Sequence, residues 1–129
     1  MMAEPLPMTT RVPKVISPQA HAVLDYTVAT TFFAMGFRMF SRHRRAAVLA
    51  MLNGGMVLGV SLLTDYPGGV WRRIPFRTHR TFDVAQAMLA GLGPVLFGFA
   101  GEPEAQFFHA QATSEIGVIA ATEWEPVAA

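Results

Sequence analysis

The chain has no cysteine among its 129 residues. That excludes a disulfide, a thiolate zinc site, an iron–sulfur cluster and a cysteine nucleophile. Charge is scarce as well. Asp, Glu, Lys and Arg make up 15% of the chain, against roughly 25% in soluble domains, too few to wet a surface on all sides. The net charge of +1 supplies no basic face, which sets aside a nucleic-acid partner. There is no HExxH motif and no phosphate-cradling glycine loop, and Ser17, Ser41, Ser61 and Ser114 lie outside any nucleophile elbow, so catalysis has no support. Residues 1–16 hold Pro5, Pro7, Pro13, Arg11 and Lys14 without an apolar run. They are expected to form a polar, disordered tail and not a signal peptide.

What is present is apolar and repeated. Hydrophobic residues make up 52% of the chain and mean hydropathy is +0.34. An ungapped shift of 58 residues carries His21 onto His79, Asp25 onto Asp83, Gly59-Val60 onto Gly117-Val118 and Thr64-Asp65-Tyr66 onto Thr122-Glu123-Trp124. A period of this length marks two copies of one supersecondary unit. The unit is a helical hairpin whose first helix opens on His-x-x-x-Asp.

Four apolar segments follow. Ser17-Pro18 is a helix start, Ser as N-cap and Pro at the first helical position, and the segment from there to about Phe40 is apolar apart from His21, Asp25 and Arg38. Ala46 to Thr64 is 19 residues without a charge, and Val84 to Gly101 is 18 more. A span of the hydrocarbon core takes about 20 apolar residues, so these two qualify directly. The fourth segment, near Gln106 to Trp124, is interrupted by His109, Gln111, Ser114 and Glu115. The repeat aligns it with the second span and so rescues it. The expected fold is all-α: four transmembrane helices arranged as two tandem two-helix repeats, with hairpins over 17–66 and 75–124, a connecting loop over 67–74 and a short C-terminal tail over 125–129. Tyr26, Tyr66, Trp71 and Trp124 fall near span ends, as an aromatic belt requires. Arg11, Lys14, Arg72, Arg73, Arg77 and Arg80 lie on the terminus side, and Arg38, Arg42, Arg44 and Arg45 on the other. Six against four favours both termini in the cytoplasm.

Each first helix closes on a Gly-Phe end, Met35-Gly36-Phe37 in one half and Gly93-Pro94-Val95-Leu96-Phe97-Gly98-Phe99 in the other. With the two-helix period, this resembles the SPW-repeat family of small bacterial membrane proteins, over roughly residues 17 to 124. Gly93-Pro94-Val95 stands where the family has Ser-Pro-Trp, and the first half has lost the proline. The resemblance implies a multi-pass protein of the bacterial cytoplasmic membrane and carries no activity with it.

Small residues recur at four-residue spacing: Gly55 and Gly59 on the second helix, Thr113 and Gly117 on the fourth, and Ala87 and Gly91 ahead of Pro94 on the third. Such faces let helix backbones approach closely in lipid, within one bundle or between copies in a homo-oligomer or larger membrane complex. Asn53, Gln111 and Glu115 should face other helices. Asn53 and Gln111 are repeat equivalents, so a shared interhelical hydrogen bond between them is expected.

Two tandem hairpins have the same orientation, so His21 and His79 lie at one depth, as do Asp25 and Asp83, with each His and Asp four apart on one helix face. Asp65 and Glu123 end the partner helices on that side, completing a layer of six ionisable groups. One reading makes the layer interfacial electrostatics in a non-catalytic accessory or scaffolding subunit, with carboxylates at helix N-terminal ends and no cofactor. The other makes it a site that binds a small ligand, handles protons or ligates a metal. Haem held between His21 and His79 is a special case with no haem-specific sequence to support it.

Overall fold

A computed structural model describes residues 12–125 of the chain; residues 1–11 and 126–129, which include most of the expected tails, lie outside that range. Four helices follow in order: α1 Pro18–Met39, α2 Arg44–Leu63, α3 Phe76–Leu96 and α4 Ala105–Ala121. The protein is all-helical apart from two short extended pieces, β1 Thr64–Asp65 and β2 Ile74–Pro75. α1 packs on α2 and α3 on α4, as two hairpins, and α2 packs on α3 between them.

Local chemistry explains the starts. Ser17 Oγ accepts from Ala20 N at 3.1 Å with Pro18 in the first turn. α2 is capped by His43, whose Nδ1 accepts from Ala46 N at 3.2 Å. The repeat extends to the connections. Thr64 pairs in parallel with Ile74, and its equivalent Thr122 bridges in parallel to Ile16, the equivalent of Ile74. The end of each copy is thus stitched to the start of the other. The last residues of the expected tail are therefore held in place: Ile16 N donates to Ala121 O at 2.9 Å and Glu123 N to Ile16 O at 2.8 Å. Gly69 is required in the connecting loop, since a Cβ there would lie 1.8 Å from the Thr64 carbonyl oxygen.

The core is small side chains with a few aromatics inserted. Ala46, Ala47, Ala50, Ala90, Leu49, Phe32 and Phe108 are fully buried. Within the single chain the close approaches fall at Gly36, Gly54 and Gly93. A Cβ at Gly93 would meet Leu49 Cδ2 at 2.4 Å, at Gly54 Phe32 Cβ at 3.2 Å and at Gly36 Met51 Sδ at 3.0 Å. Gly55, Gly59 and Gly117 meet nothing within 4 Å, while Gly91 touches Ala112 Cβ at 3.4 Å. The contact inside the bundle is thus made at Gly54, one residue from Gly55 and about 100° of rotation around a helix with 3.6 residues per turn, which leaves the Gly55/Gly59 face open. Ala87 and Pro94 are buried as expected.

Among the described residues one helix, α2, is long and apolar enough to cross a membrane, with mean hydropathy 2.0. The third apolar run is shared between helix and turn. α3 starts at Phe76, upstream of the run, and ends at Leu96, so residues 97–101 of the run leave the helix.

Candidate functional site

His21 and His79 are each the fourth residue of their helix, α1 and α3. Asp25 and Asp83 follow one turn later on the same faces. The hairpin pairing turns both faces inward, and the four side chains meet in one cluster with exposures of 0%, 4%, 1% and 7% for His21, Asp25, His79 and Asp83. The contacts close into a ring. His21 Nε2 lies 3.4 Å from Asp25 Oδ1 and 2.9 Å from Asp83 Oδ2; His79 Nε2 lies 3.1 Å from Asp25 Oδ2 and 3.0 Å from Asp83 Oδ1. Each carboxylate thus faces both imidazoles.

The other ring nitrogens fix the tautomers. His21 Nδ1 lies 2.8 Å from Thr122 Oγ1, and His79 Nδ1 2.7 Å from Thr64 Oγ1. Each threonine hydroxyl donates its one hydrogen to the carbonyl four residues back, Val118 O and Val60 O, both at 2.6 Å. The threonine oxygens can therefore only accept, and both Nδ1 atoms must carry the proton they donate. Both Nε2 atoms then face the carboxylate pair with either a lone pair or an additional proton.

Asp65 and Glu123 do not join this cluster, contrary to the expected layer of six. Asp65 is exposed and Glu123 half-buried. The reason is the period-two alternation of extended backbone: in each copy the threonine and the aromatic turn inward and the acid between them turns away. Thr64, Thr122 and Tyr66 thus do what the acids were expected to do, and the signal was present, since the whole Thr-acid-aromatic triplet repeats. Tyr66 OH donates to Asp25 Oδ2 at 2.8 Å. Burial, reinforced by the Asp25 charge, pushes the Tyr66 phenol well above its ordinary value. Trp124, the equivalent of Tyr66, packs its ring on His21 with centroids 5.0 Å apart, and Tyr66 packs on His79 at 5.3 Å.

The expected Asn53–Gln111 hydrogen bond is replaced by another. Gln86 Nε2 donates to Asn53 Oδ1 at 3.0 Å, and Asn53 Nδ2 to Leu49 O at 2.9 Å. Gln111 is half-buried and Glu115 buried on α4. Gln86 was legible only as one more polar residue in an apolar run, because its partner depends on how α2 and α3 rotate against each other.

Electrostatically the cluster is incomplete by itself. Among the described residues, Asp25 and Asp83 have no Lys or Arg within ion-pair distance; their only cationic neighbours are His21 and His79. Two buried carboxylates without compensation are costly. Protons held within the ring or a bound dication would neutralise the pair. One donor atom from each of the four residues lies within 4.8 Å of the others, and a tetrahedron with metal–ligand bonds of ~2.0–2.1 Å has edges of about 3.3 Å. Nδ1–H held by an acceptor with Nε2 aimed at the centre is the arrangement that orients a metal-binding histidine. Comparison with family models, curated proteins and solved structures finds no match to this chain, so any functional reading stands on this geometry.

Proposed function

We propose that this chain is a small multi-pass membrane protein, an accessory subunit whose bundle is built around a His21/Asp25/His79/Asp83 centre for a first-row divalent metal ion. The observation that carries the reading is the pair of Nδ1–H tautomers, each fixed by a threonine of the other repeat copy, which leaves both Nε2 atoms facing two buried carboxylates. Two imidazoles and two carboxylates suit Zn2+, Mn2+ or Fe2+. Ca2+ and Mg2+ are poorly matched, because they take oxygen ligands in larger numbers. A porphyrin is disfavoured, because Asp25 and Asp83 fill the space between the imidazoles. Metal and protons compete for the same Nε2 atoms.

The membrane part of the proposal is supported by length and by the outer surface. Helices of 22, 20, 21 and 17 residues are about 33, 30, 32 and 26 Å long, matching a hydrocarbon core of ~30 Å. Phe37, Leu52, Met88, Leu92, Val95, Leu96 and Ile116 are at least half exposed, while the arginines of the described helices lie at their ends. Asp25, Asp83 and Glu115 point inward. The arginine count supports a terminus-side, cytoplasmic position for the centre.

Membrane fractionation followed by metal analysis of detergent-purified protein tests both parts. Expected is recovery in the membrane fraction with about one equivalent of metal, lost in a His21→Ala, His79→Ala double variant. Recovery from the cytosol without detergent rejects the membrane part. Metal absent from the wild type, and not taken up from Zn2+-containing buffer, rejects the centre.

A further inference from the structure

Between α2 and α3, beside the cluster, lies a cavity of about 10 Å3 whose walls include Ser61, His79, Asp83 and Gln86. That is space for about one water molecule. His79 Nε2 already faces the Asp25 and Asp83 carboxylates at 3.1 and 3.0 Å, but among the described residues two other buried side-chain polar atoms have no hydrogen-bond partner, Ser61 Oγ and Gln86 Oε1. Both belong to residues that line this one cavity. Orphaned polar groups are rare in folded interiors and call for an explanation; two beside a single water-sized space share one.

The polarity of the cavity is set by a relay of amides. Asn53 Nδ2 donates to the Leu49 carbonyl, which leaves Asn53 Oδ1 to accept from Gln86 Nε2. Gln86 must therefore present its oxygen, an acceptor only, to the cavity. Ser61 Oγ can donate or accept. Whatever occupies the space must bring a hydrogen to Gln86, so an occupant without hydrogen is disfavoured. His79 and Asp83, two members of the proposed metal centre, line the same space.

We propose that this cavity is an exchangeable coordination position on the bound dication, taking a protic, water-sized ligand held by Gln86 Oε1 and Ser61 Oγ. This rests on the metal reading above and makes the centre an open site, with four protein ligands and one replaceable ligand, in place of a closed structural one. The repeat supplies the first four and its divergence the fifth. Val28 is the equivalent of Gln86 and Ile119 that of Ser61, so the other copy has no polar counterpart at either position.

The probe is Co2+ bound to the detergent-purified protein, whose visible absorption is weak when five-coordinate and several-fold stronger when tetrahedral. The wild type should show the weak bands. Gln86→Leu, which replaces the acceptor by apolar volume, should raise them several-fold. Because that change also strips Asn53 of its partner, Ser61→Val is measured beside it and should shift the spectrum the same way by filling the cavity from α2. Azide, which carries no hydrogen, should leave the wild-type spectrum unchanged. Strong tetrahedral bands in the wild type that neither variant alters would overturn the open position while leaving the metal centre intact. A spectral response to azide would overturn the protic selectivity. Failure of Co2+ to bind the wild type at all would remove the metal reading itself, and the open position with it.

Discussion

Two ends of this bundle carry His beside carboxylates, and they use the imidazole in opposite ways. At one end His21 and His79 donate Nδ1–H to threonines and turn Nε2 onto Asp25 and Asp83, all buried. At the other, His43, Glu102 and Glu104 are also close enough together to surround an ion. There His43 Nδ1 accepts from Ala46 N to cap α2, so the proton sits on Nε2 and is donated to Glu102 Oε1 at 3.0 Å. The Glu102 side chain is 44% exposed and Arg45 lies 3.9 Å from it. The residue types match, but the partner of Nδ1 decides which imidazole has a lone pair to offer. A cap spends it; a threonine acceptor frees it.

The largest expected effect is the loss of a histidine at the buried end. His21→Ala or His79→Ala should abolish stoichiometric metal binding. It should also destabilise the protein by about 3–5 kcal/mol, because one carboxylate is left buried without compensation. Thermal unfolding in detergent, with and without a chelator, reads both. If the chelator shifts wild type and variant equally, the buried end is no better a ligand set than the exposed one.

Acidification should come next. A metal can bind only deprotonated Nε2 atoms, so protons compete with the ion, and affinity must rise with pH and fall as pH drops. Equilibrium dialysis against Zn2+ at stepped pH should show progressive loss as the pH is lowered, with proton uptake. A flat pH profile would mean that His21 and His79 are not the ligands.

Thr64→Val and Thr122→Val remove the acceptors of the two Nδ1–H groups with little change in shape. Each should weaken metal binding by about 10–100-fold. The two should be nearly equal, since the threonines are repeat equivalents with matching distances. Unequal effects would show that the two copies hold their imidazoles differently. Tyr66→Phe should cost about 1–3 kcal/mol through the lost hydrogen bond to buried Asp25. Since the folded state raises the Tyr66 phenol pKa, the neutral phenol's contribution is intact below the unfolded value of ~10 and falls as pH rises beyond it. Alkaline unfolding of wild type and Tyr66→Phe should therefore diverge below that pH and converge above it.

The repeat made the four buried ionisable residues legible, because an ungapped period and i, i+4 spacing are enough to place His21, Asp25, His79 and Asp83 at one depth on inward faces. What escaped were contacts set by rotation or by local backbone. Thr64 and Thr122 replaced Asp65 and Glu123 because the chain is extended, not helical, past Leu63 and Ala121. Gln86 replaced Gln111 as the partner of Asn53, and Gly54 makes the helix contact inside the bundle while Gly55 lies open, because apolar α2 has almost no amphipathic contrast to fix which side faces inward. Such a helix announces that it is buried or in lipid, but not its angle.

At the exposed end the expected effect is the smallest, and it tests the contrast from the other side. Glu102→Gln keeps the side-chain oxygen that accepts from His43 Nε2–H and removes only the charge. An exposed pair of this kind contributes about 0–1 kcal/mol, and the His43 cap on α2 stays in place, so the unfolding midpoint should barely move. Metal content should not change at all, since the lone pair of His43 Nδ1 is already occupied by Ala46 N–H. A drop in bound metal in Glu102→Gln would place the ion at the exposed end. It would also show that the tautomer fixed by a helix cap does not keep an imidazole out of a coordination sphere.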